Sequence, residues 1–390
     1  MPTHMSDHTP ADTDELATAA AADLEALVAI SSPSGDVEGA DAALALCASR
    51  LPAETAIERV PCSSPAHAQD LIARITGSGS GRVLLVGHVD TVISHANHIP
   101  LLREGEHWLG TGTVDMKGGV ALSLALARWL AQRPACFAEL GLLLVVDEEW
   151  RLQPFAHVER FAHYDACLCF EAGERTPAGA EGVVVQRKAA GTLRVTGHGR
   201  AAHAGSNPDA GANALLALAE AATTAAALHL PGGPEALSVV PSVMRSGEAI
   251  NVVPAAGELT IDMRAGSQSA FRQVIEAVSS TSQSARVEAE LVRAWPGMDT
   301  HAATAPLLES ASALLGRQIV GVSRGGASDA SHFAATLPLT IDGLGPRGGH
   351  AHSPEEYVYE PSLGERIEVG MAILKALLGS PPSHPQAPAS

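Results

Sequence analysis

The sequence predicts an α/β fold: a mostly parallel central sheet flanked by helices, interrupted by a smaller α+β unit with an antiparallel sheet. Three observations carry this. Short branched apolar runs, as at residues 83–86 and 140–146, are too brief for helices and alternate with helical stretches such as 116–131. Between residues 185 and 295 the texture changes, and four strand-like runs flank two helices in an order that suits an antiparallel sheet. Finally, 390 residues with 46% hydrophobic and 17% charged side chains suffice for two domains and a large core.

Taken in order, residues 1–13 are polar and acidic and read as a disordered leader. An alanine-rich helix follows over 14–30, with Leu16, Leu24, Leu27 and Val28 as its apolar stripe. Ser31-Ser-Pro-Ser-Gly35 stops it before a second helix at 37–50. Strands are expected at 57–60, 71–75, 83–87, 140–146 and 166–170, with the helix 116–131 among them. These form the first part of a discontinuous main domain, 14–185, which resumes at 297–380. The inserted unit, 186–296, holds strands at 191–196, 237–244, 259–264 and 287–292 and helices at 210–230 and 267–279. Beyond Pro296 come helical segments at 305–315 and 328–335, a strand at 339–341 and a last helix at 363–378. The proline-rich stretch 381–390 reads as a disordered tail.

Composition excludes several function classes. Lys and Arg number 25 against 43 Asp and Glu, a net charge of −18, which repels phosphate backbones and anionic membranes. No basic patch stands out, and aromatics at 3% offer no base-stacking surface, so nucleic acid is not an expected partner. A membrane is not expected either, because no run of about 20 apolar residues occurs. Five scattered cysteines make no disulfide framework, and Cys167 and Cys169 read as small buried thiols. With no signal-peptide pattern at its start, the chain reads as cytoplasmic.

Five places end a strand or open a helix with a residue able to bind metal. His88 and Asp90 close the run Val83-Leu-Leu-Val-Gly-His-Val-Asp90, two residues apart and so on one side of an extended chain. Such a carboxylate can fix the tautomer of an imidazole ligand. Asp115 lies in Gly110-Thr-Gly-Thr-Val-Asp-Met-Lys-Gly-Gly119, just before a helix that it could equally cap. Asp147-Glu148-Glu149 ends a buried strand, and three adjacent carboxylates call for a cation unless they form a solvated turn. Glu171 follows the strand at 166–170, and His350 and His352 sit in the glycine-rich stretch 348–357. Mixed imidazole and carboxylate donors suit zinc, or else manganese or cobalt. Of two neighbouring carboxylates, one can bind metal while the other moves a proton.

The combination Gly-His-Val-Asp-Thr-Val, Gly-Thr-Val-Asp-Met-Lys-Gly-Gly, Asp-Glu-Glu, Phe-Glu-Ala, His-Ala-Gly-Ser-Asn-Pro and His-Ser-Pro-Glu-Glu-Tyr-Val resembles the M20 metallopeptidases. It is most similar to the carboxypeptidase G2-like glutamate carboxypeptidases, with acetylornithine deacetylases and succinyl-diaminopimelate desuccinylases as relatives. The resemblance runs over most of the chain, roughly residues 24–377. It implies a catalytic α/β domain interrupted by a lid through which many members form homodimers.

Carried over residue by residue, the resemblance implies two divalent metal ions, bridged by Asp115, whose peptide to Met116 is usually cis. One ion would also take His88 and Glu171, the other Glu149 and His352, with His350 as a neighbour. Glu148 would be general base and then acid, acting with a hydroxide held between the metals, and Asp90 would orient His88. His203 resembles a lid histidine that serves the oxyanion, in family dimers within the partner's site. Asn251 and Arg264 match lid positions that meet the substrate carboxylate, and Gly325 and Gly326 belong to a substrate loop. The implied activity is hydrolysis of a peptide or N-acyl amino acid carrying a free carboxylate, with an acetylornithine-type deacylase as the alternative. A non-catalytic binding module would be expected to lack a ligand or the base, and none is missing.

Two departures bear on the substrate. Trp150-Arg-Leu-Gln-Pro154 stands where the family has a small glycine- and serine-containing turn. Trp295 stands where carboxypeptidase G2-like members carry an arginine before the proline that re-enters the catalytic domain, which weakens the expectation of a strict glutamate preference.

Overall fold

The computed structural model describes residues 10–279 and 285–379. Its central sheet runs in the order Ala56–Pro61, Gln69–Thr76, Glu139–Val145, Arg82–His88, Ala166–Cys169, Leu339–Ile341. The last four strands are parallel, and the first two join antiparallel at one edge. Strands covered on both faces read as continuous apolar runs, and residues 83–88 are all buried. Alternation still sorts them. Val83 and Leu85 join the core beneath the helices, whereas Leu84 and Val86 join the opposite core with Phe161 and Phe333. The helices Pro10–Val28, Lys117–Ala131 and Ser362–Leu378 pack together on the first face.

The helix Lys117–Ala131 comes unusually close to the sheet. A Cβ on Gly119 would lie 1.8 Å from the carbonyl oxygen of Phe170, so only glycine lets the helix start there. This contact brings the first turn of the helix, and Asp115 before it, against the end of the strand that leads to Glu171.

The inserted stretch forms an antiparallel sheet in the order Ser238–Ser246, Ala256–Ala265, Ala189–His198, Arg286–Trp295. Leu193, Val195, Ile261 and Met263 point from one face into a core shared with the helices Ala214–Ala227 and Phe271–Ser279. Among the described residues, no helix of this unit lies on the opposite face. The α/β class with a parallel-containing main sheet and a separate antiparallel sheet is thus observed as expected.

Three differences from the sequence reading have physical causes. The first helix begins at Pro10, so residues 10–13 are not part of a disordered leader. Proline suits a first helical turn, and Asp12 favours the positive end of the helix dipole. Residues 1–9 of that leader, and the tail 381–390, lie outside the described residues. Second, Glu181–Arg187 is a strand paired parallel to Ile319–Arg324, unpredicted because it falls where the texture was taken to change. Third, a small sheet of Leu102–Glu104, His107–Leu109, Gly348–Gly349 and Tyr357–Tyr359 was not foreseen, since strands of two or three residues have no readable period. All five cysteines are free, and Cys167 and Cys169 are buried as expected. No helix among the described residues is long and apolar enough to cross a membrane.

The Gly119→Ala substitution is expected to destabilise the protein by about 1–3 kcal/mol or more, since backbone must shift to admit one methyl group. Thermal denaturation against wild type measures this. An unchanged midpoint would contradict the packing described.

Candidate metal centre

The carboxyl ends of the parallel strands meet at one place, where ligands collect in open α/β sheets. His88 ends its strand fully buried, with Nε2 3.2 Å from Asp115 Oδ1 and 3.7 Å from Glu171 Oε1. The other oxygen of Asp115, Oδ2, lies 3.1 Å from His352 Nε2, which is itself 3.0 Å from Glu149 Oε1. Asp115 therefore stands between two imidazoles, each with a further carboxylate beside it. One ligand atom from each of His88, Asp115 and Glu149 lies within 4.8 Å of the others. The peptide between Asp115 and Met116 is cis.

His352 reaches the cluster from the loop between Gly348–Gly349 and Tyr357–Tyr359, with φ of +66°. His350, two residues earlier, instead turns its ring towards Tyr357, 5.9 Å away between centroids. Of the two histidines, the structure brings His352 to Glu149 and Asp115.

Backbone amides hold this geometry. The carboxylate of Asp90 accepts from the N–H of Glu148 at 3.3 Å and of Glu149 at 3.1 Å, fixing the turn that carries both. Its link to His88 is mixed: Nδ1 lies 3.1 Å from the Asp90 carbonyl oxygen and 3.4 Å from Oδ1. A residue the sequence reading quoted but gave no role, Glu356, does the same for Asp115. Its carboxylate accepts from the N–H groups of Gly112, Val114 and Asp115 at 2.9, 2.9 and 3.0 Å. The signal was present in the Glu-Glu pair at 355–356, of which only the second is buried.

Crowded carboxylates in a dry setting shift their proton affinities. Burial pushes Glu148 and Glu149 above the ordinary carboxyl range, and burial with nearby Asp115 takes Glu171 to about 8. Burial would raise Asp115 too, but hydrogen bonds from His352 and His88 hold it well below its usual value. The same contacts with Asp115 and Glu149 lift His352 to about 10. Several buried carboxylates facing one another, with imidazoles between them, are the donor set a divalent cation satisfies. The residues fit such an ion.

The two departures after Glu149 are also placed. Arg151 is fully buried, donating to Asp147 at 2.9 Å and to Asp329. Its guanidinium lies over Phe155 and Trp295, 4.6 and 4.5 Å from the ring centroids. Trp150 meets His67 edge-on, 4.4 Å between centroids.

The remaining candidates have their partners outside the cluster. Arg264 donates through Nε and Nη2 to Asp262 on its own strand, both at 3.0 Å. The Gly326 carbonyl accepts from Arg187 at 2.8 Å, and Gly325 lines a cavity at the seam between the two sheets with Arg187, Lys188 and Arg324. His203 and Asn251 are exposed at the far end of the antiparallel sheet, joined through the Ala204 N–H to the Asn251 carbonyl at 2.9 Å. That end, beyond His198 and Ala256, is separated from the Ala189, Ala265 and Trp295 end by roughly 30 Å of strand. Within one chain, neither residue is brought to the cluster.

The chain is similar to known proteins over most of its length. Carboxypeptidase G2 of Pseudomonas sp. (strain RS-16) is 26% identical over 374 residues, covering 91% of this chain and 88% of that protein. Succinyl-diaminopimelate desuccinylase of Methylorubrum extorquens (strain PA1) is 31% identical over 281 residues, 67% of this chain and 69% of its own. Among solved structures, the YXEP protein of Bacillus subtilis, described as a dinuclear metal binding peptidase from the M20 family, superposes with a TM-score of 0.70 at 16% identity. It covers 94% of this chain and 99% of that one. With residues 84–376 matching peptidase family M20/M25/M40, the chain belongs to that family and is a hydrolase of amide bonds.

Proposed function

We propose that the protein is a dinuclear metal-dependent amide hydrolase that cleaves a peptide or N-acyl amino acid with a free carboxylate. The observation that carries this is Asp115, whose two oxygens face two different imidazoles, each flanked by another carboxylate. That is the arrangement of a bridging ligand, with His88 and Glu171 on one side and Glu149 and His352 on the other. Zinc suits this donor set best, and manganese or cobalt would also be accepted. When bound, such ions supply Lewis acidity and lower the pKa of a coordinated water.

The chain's own residues do the rest. Glu148 is buried beside the cluster, and no side chain of the described residues hydrogen-bonds its carboxylate. It is free to take a proton from the attacking water and pass it to the leaving nitrogen. Its raised proton affinity suits the second, acid half of that cycle. Asp90 keeps Glu148 and Glu149 in place through their amides, so that base and ligand do not exchange roles.

His203 needs a second copy of the chain to act. Its Nδ1 accepts from the N–H groups of Gly205 and Ser206 at 3.1 and 3.0 Å, which places the proton on Nε2. A lid histidine in that tautomer is a ready donor to an oxyanion in a partner's site. The edge strand Ser238–Ser246 supports a homodimer, since it exposes Val240, Val243 and Met244 with no strand beyond it among the described residues. On this reading Asn251, Arg264 and the loop of Gly325 and Gly326 face the substrate, and the enzyme works in the cytoplasm. Similarity to desuccinylases keeps an N-acyl deacylase as the second reading. A hydrolysis panel of dipeptides and N-acyl amino acids, with each metal added, separates the two by which bond is cut.

Three outcomes follow. Glu148→Gln should keep its metal and lose turnover by about 100- to 10,000-fold, and near-normal activity would refute its role. A His88→Ala, Glu171→Ala double variant should bind about one metal fewer per chain by elemental analysis. Metal uptake at pH 7 should release protons, because His352 near 10 and Glu171 near 8 hold protons there in the metal-free protein. Affinity should accordingly rise with pH up to about 10, more steeply below about 8 where both groups still carry protons, which calorimetry in buffers of different ionisation enthalpy would show.

A further inference from the structure

We propose that Arg293, and not Arg264, is the principal receptor for the substrate carboxylate in this chain. The inference deepens the amide-hydrolase reading and rests on it. It begins with the open face of the antiparallel sheet. Ala190 pairs with Arg264 on one side and Trp295 on the other, and Thr192 pairs with Asp262 and Arg293. Directly paired residues of an antiparallel sheet share a face, so all six lie together, opposite the face packed by helices. Trp295 fixes where this face looks. Its buried ring meets Arg151 and His332, both from the main domain, so this end of the sheet overlooks the metal centre.

Along that face three arginines differ in what neutralises them. Arg151 is held by Asp147 and Asp329. Arg264 is held by Asp262, through two hydrogen bonds from Nε and Nη2. Arg293 forms no ion pair among the described residues, and its Nε–H is buried with no acceptor. A half-buried guanidinium with an unmet donor costs free energy that an incoming anion would recover. Its position is fixed in advance by Trp295, whose ring centroid lies 4.9 Å from the guanidinium carbon, so little side-chain freedom is lost on binding. Electrostatics point the same way. Burial works against its charge, Glu148 supports it, Arg264 and Arg151 oppose it and Glu149 supports it, so the net effect favours an added anion beside it.

The small side chains of Ala190 and Thr192 separate Arg293 from Arg264 by one strand, about 10 Å between their strands. Of the two arginines flanking them, Arg293 is the unneutralised one. A planar carboxylate meets a guanidinium edge-on through two N–H groups, and no carboxylate of the described residues pairs with Arg293. Trp295 thereby acquires a purpose as the platform under the receptor. It occupies the position where an arginine was expected, with the receptor two residues upstream on the same face.

The test is equilibrium binding to the zinc-loaded protein, read by calorimetry with Glu148→Gln present throughout so that no compound is hydrolysed; wild type here means both arginines intact. Hippurate, N-acetylmethionine and N-acetylglutamate are each compared with their C-terminal amides. Wild type should bind at least one acid about 10- to 100-fold more tightly than its amide, the worth of a charge-assisted hydrogen bond. Arg293→Gln should remove most of that preference, Arg293→Lys should keep part of it, and Arg264→Gln should cost less than Arg293→Gln. Zinc content and melting temperature identify a variant that has lost its fold, and Arg293→Lys retains stem and charge should Arg293→Gln do so. A preference that survives in Arg293→Gln overturns the proposal, as does one lost chiefly in Arg264→Gln or absent from wild type. Hydrolysis of the same compounds by protein retaining Glu148 reports separately on the enzyme reading: no cleavage with any metal would refute that reading, while the binding data still decide Arg293.

Discussion

The structure is organised around a repulsion. Asp115, Glu148, Glu149 and Glu171 are carboxylates gathered where the parallel strands end, withdrawn from most of the solvent that would screen them. Bringing each into such a place costs several kcal/mol unless something compensates it. Two imidazoles supply part of that compensation, and the rest is what makes a divalent cation a natural occupant. The protein could not rely on these side chains to hold one another in place. It uses backbone amides instead, with Asp90 gripping the turn at 148–149 and Glu356 gripping the loop at 112–115. Both anchors are themselves buried carboxylates, so the cluster has an inner set with donor atoms suited to a cation and an outer set that positions them. The glycine at 119 serves the same end by letting a helix approach the Phe170 carbonyl closely.

The outer set also explains two features that look unrelated along the chain. Arg151, in the turn after Glu149, and Trp295, at the end of the inserted sheet, are in direct contact. Arg151 neutralises Asp147 from the turn that carries Glu148 and Glu149 and Asp329 from the glycine-rich loop, and its flat guanidinium then stacks on the indole. Removing Arg151 would leave two buried carboxylates unpaired, a loss of about 3–5 kcal/mol. The pair thus fastens the root of the inserted unit to the floor of the active centre.

Much of this was legible in the sequence, for definite reasons. Fully buried parallel strands leave uninterrupted apolar runs, so the residue that breaks each run marks a strand end. His88, Glu148, Glu149 and Glu171 were found that way. The cysteines at 167 and 169 were recognisable as core residues by the same logic. What stayed hidden depends on pairing across long separations. Glu356 shows nothing locally that tells it from Glu355, and only its approach to residues more than two hundred positions away makes it an anchor. Arg293 was passed over because a strand's sequence does not say which arginine on a neighbouring strand has a carboxylate of its own. The strand 181–187 was missed where two textures abut, since it is paired with a strand beyond the insertion.

The length of the antiparallel sheet carries a last consequence for the proposed enzyme. One end of it, with Arg264, Arg293 and Trp295, lies beside the metal centre of its own chain. The other end, with His203 and Asn251, is roughly 30 Å away along the strands. Ten-residue strands such as Ala189–His198 and Ala256–Ala265 are too regular, and too well paired, to fold that far end back. A sheet of this length therefore cannot present both groups to one substrate within one chain. It can do so in a symmetric pair, where each sheet offers its near end to its own centre and its far end to the partner's. In such an arrangement the exposed edge strand Ser238–Ser246 fixes the reach of His203 as well as the dimer itself, because its pairing sets how far one sheet extends over the other centre. Substrate selection by Arg293 would then stay within the chain while oxyanion assistance came from outside it. Recognition and catalytic competence would be separable, the first surviving in a monomer and the second requiring the dimer.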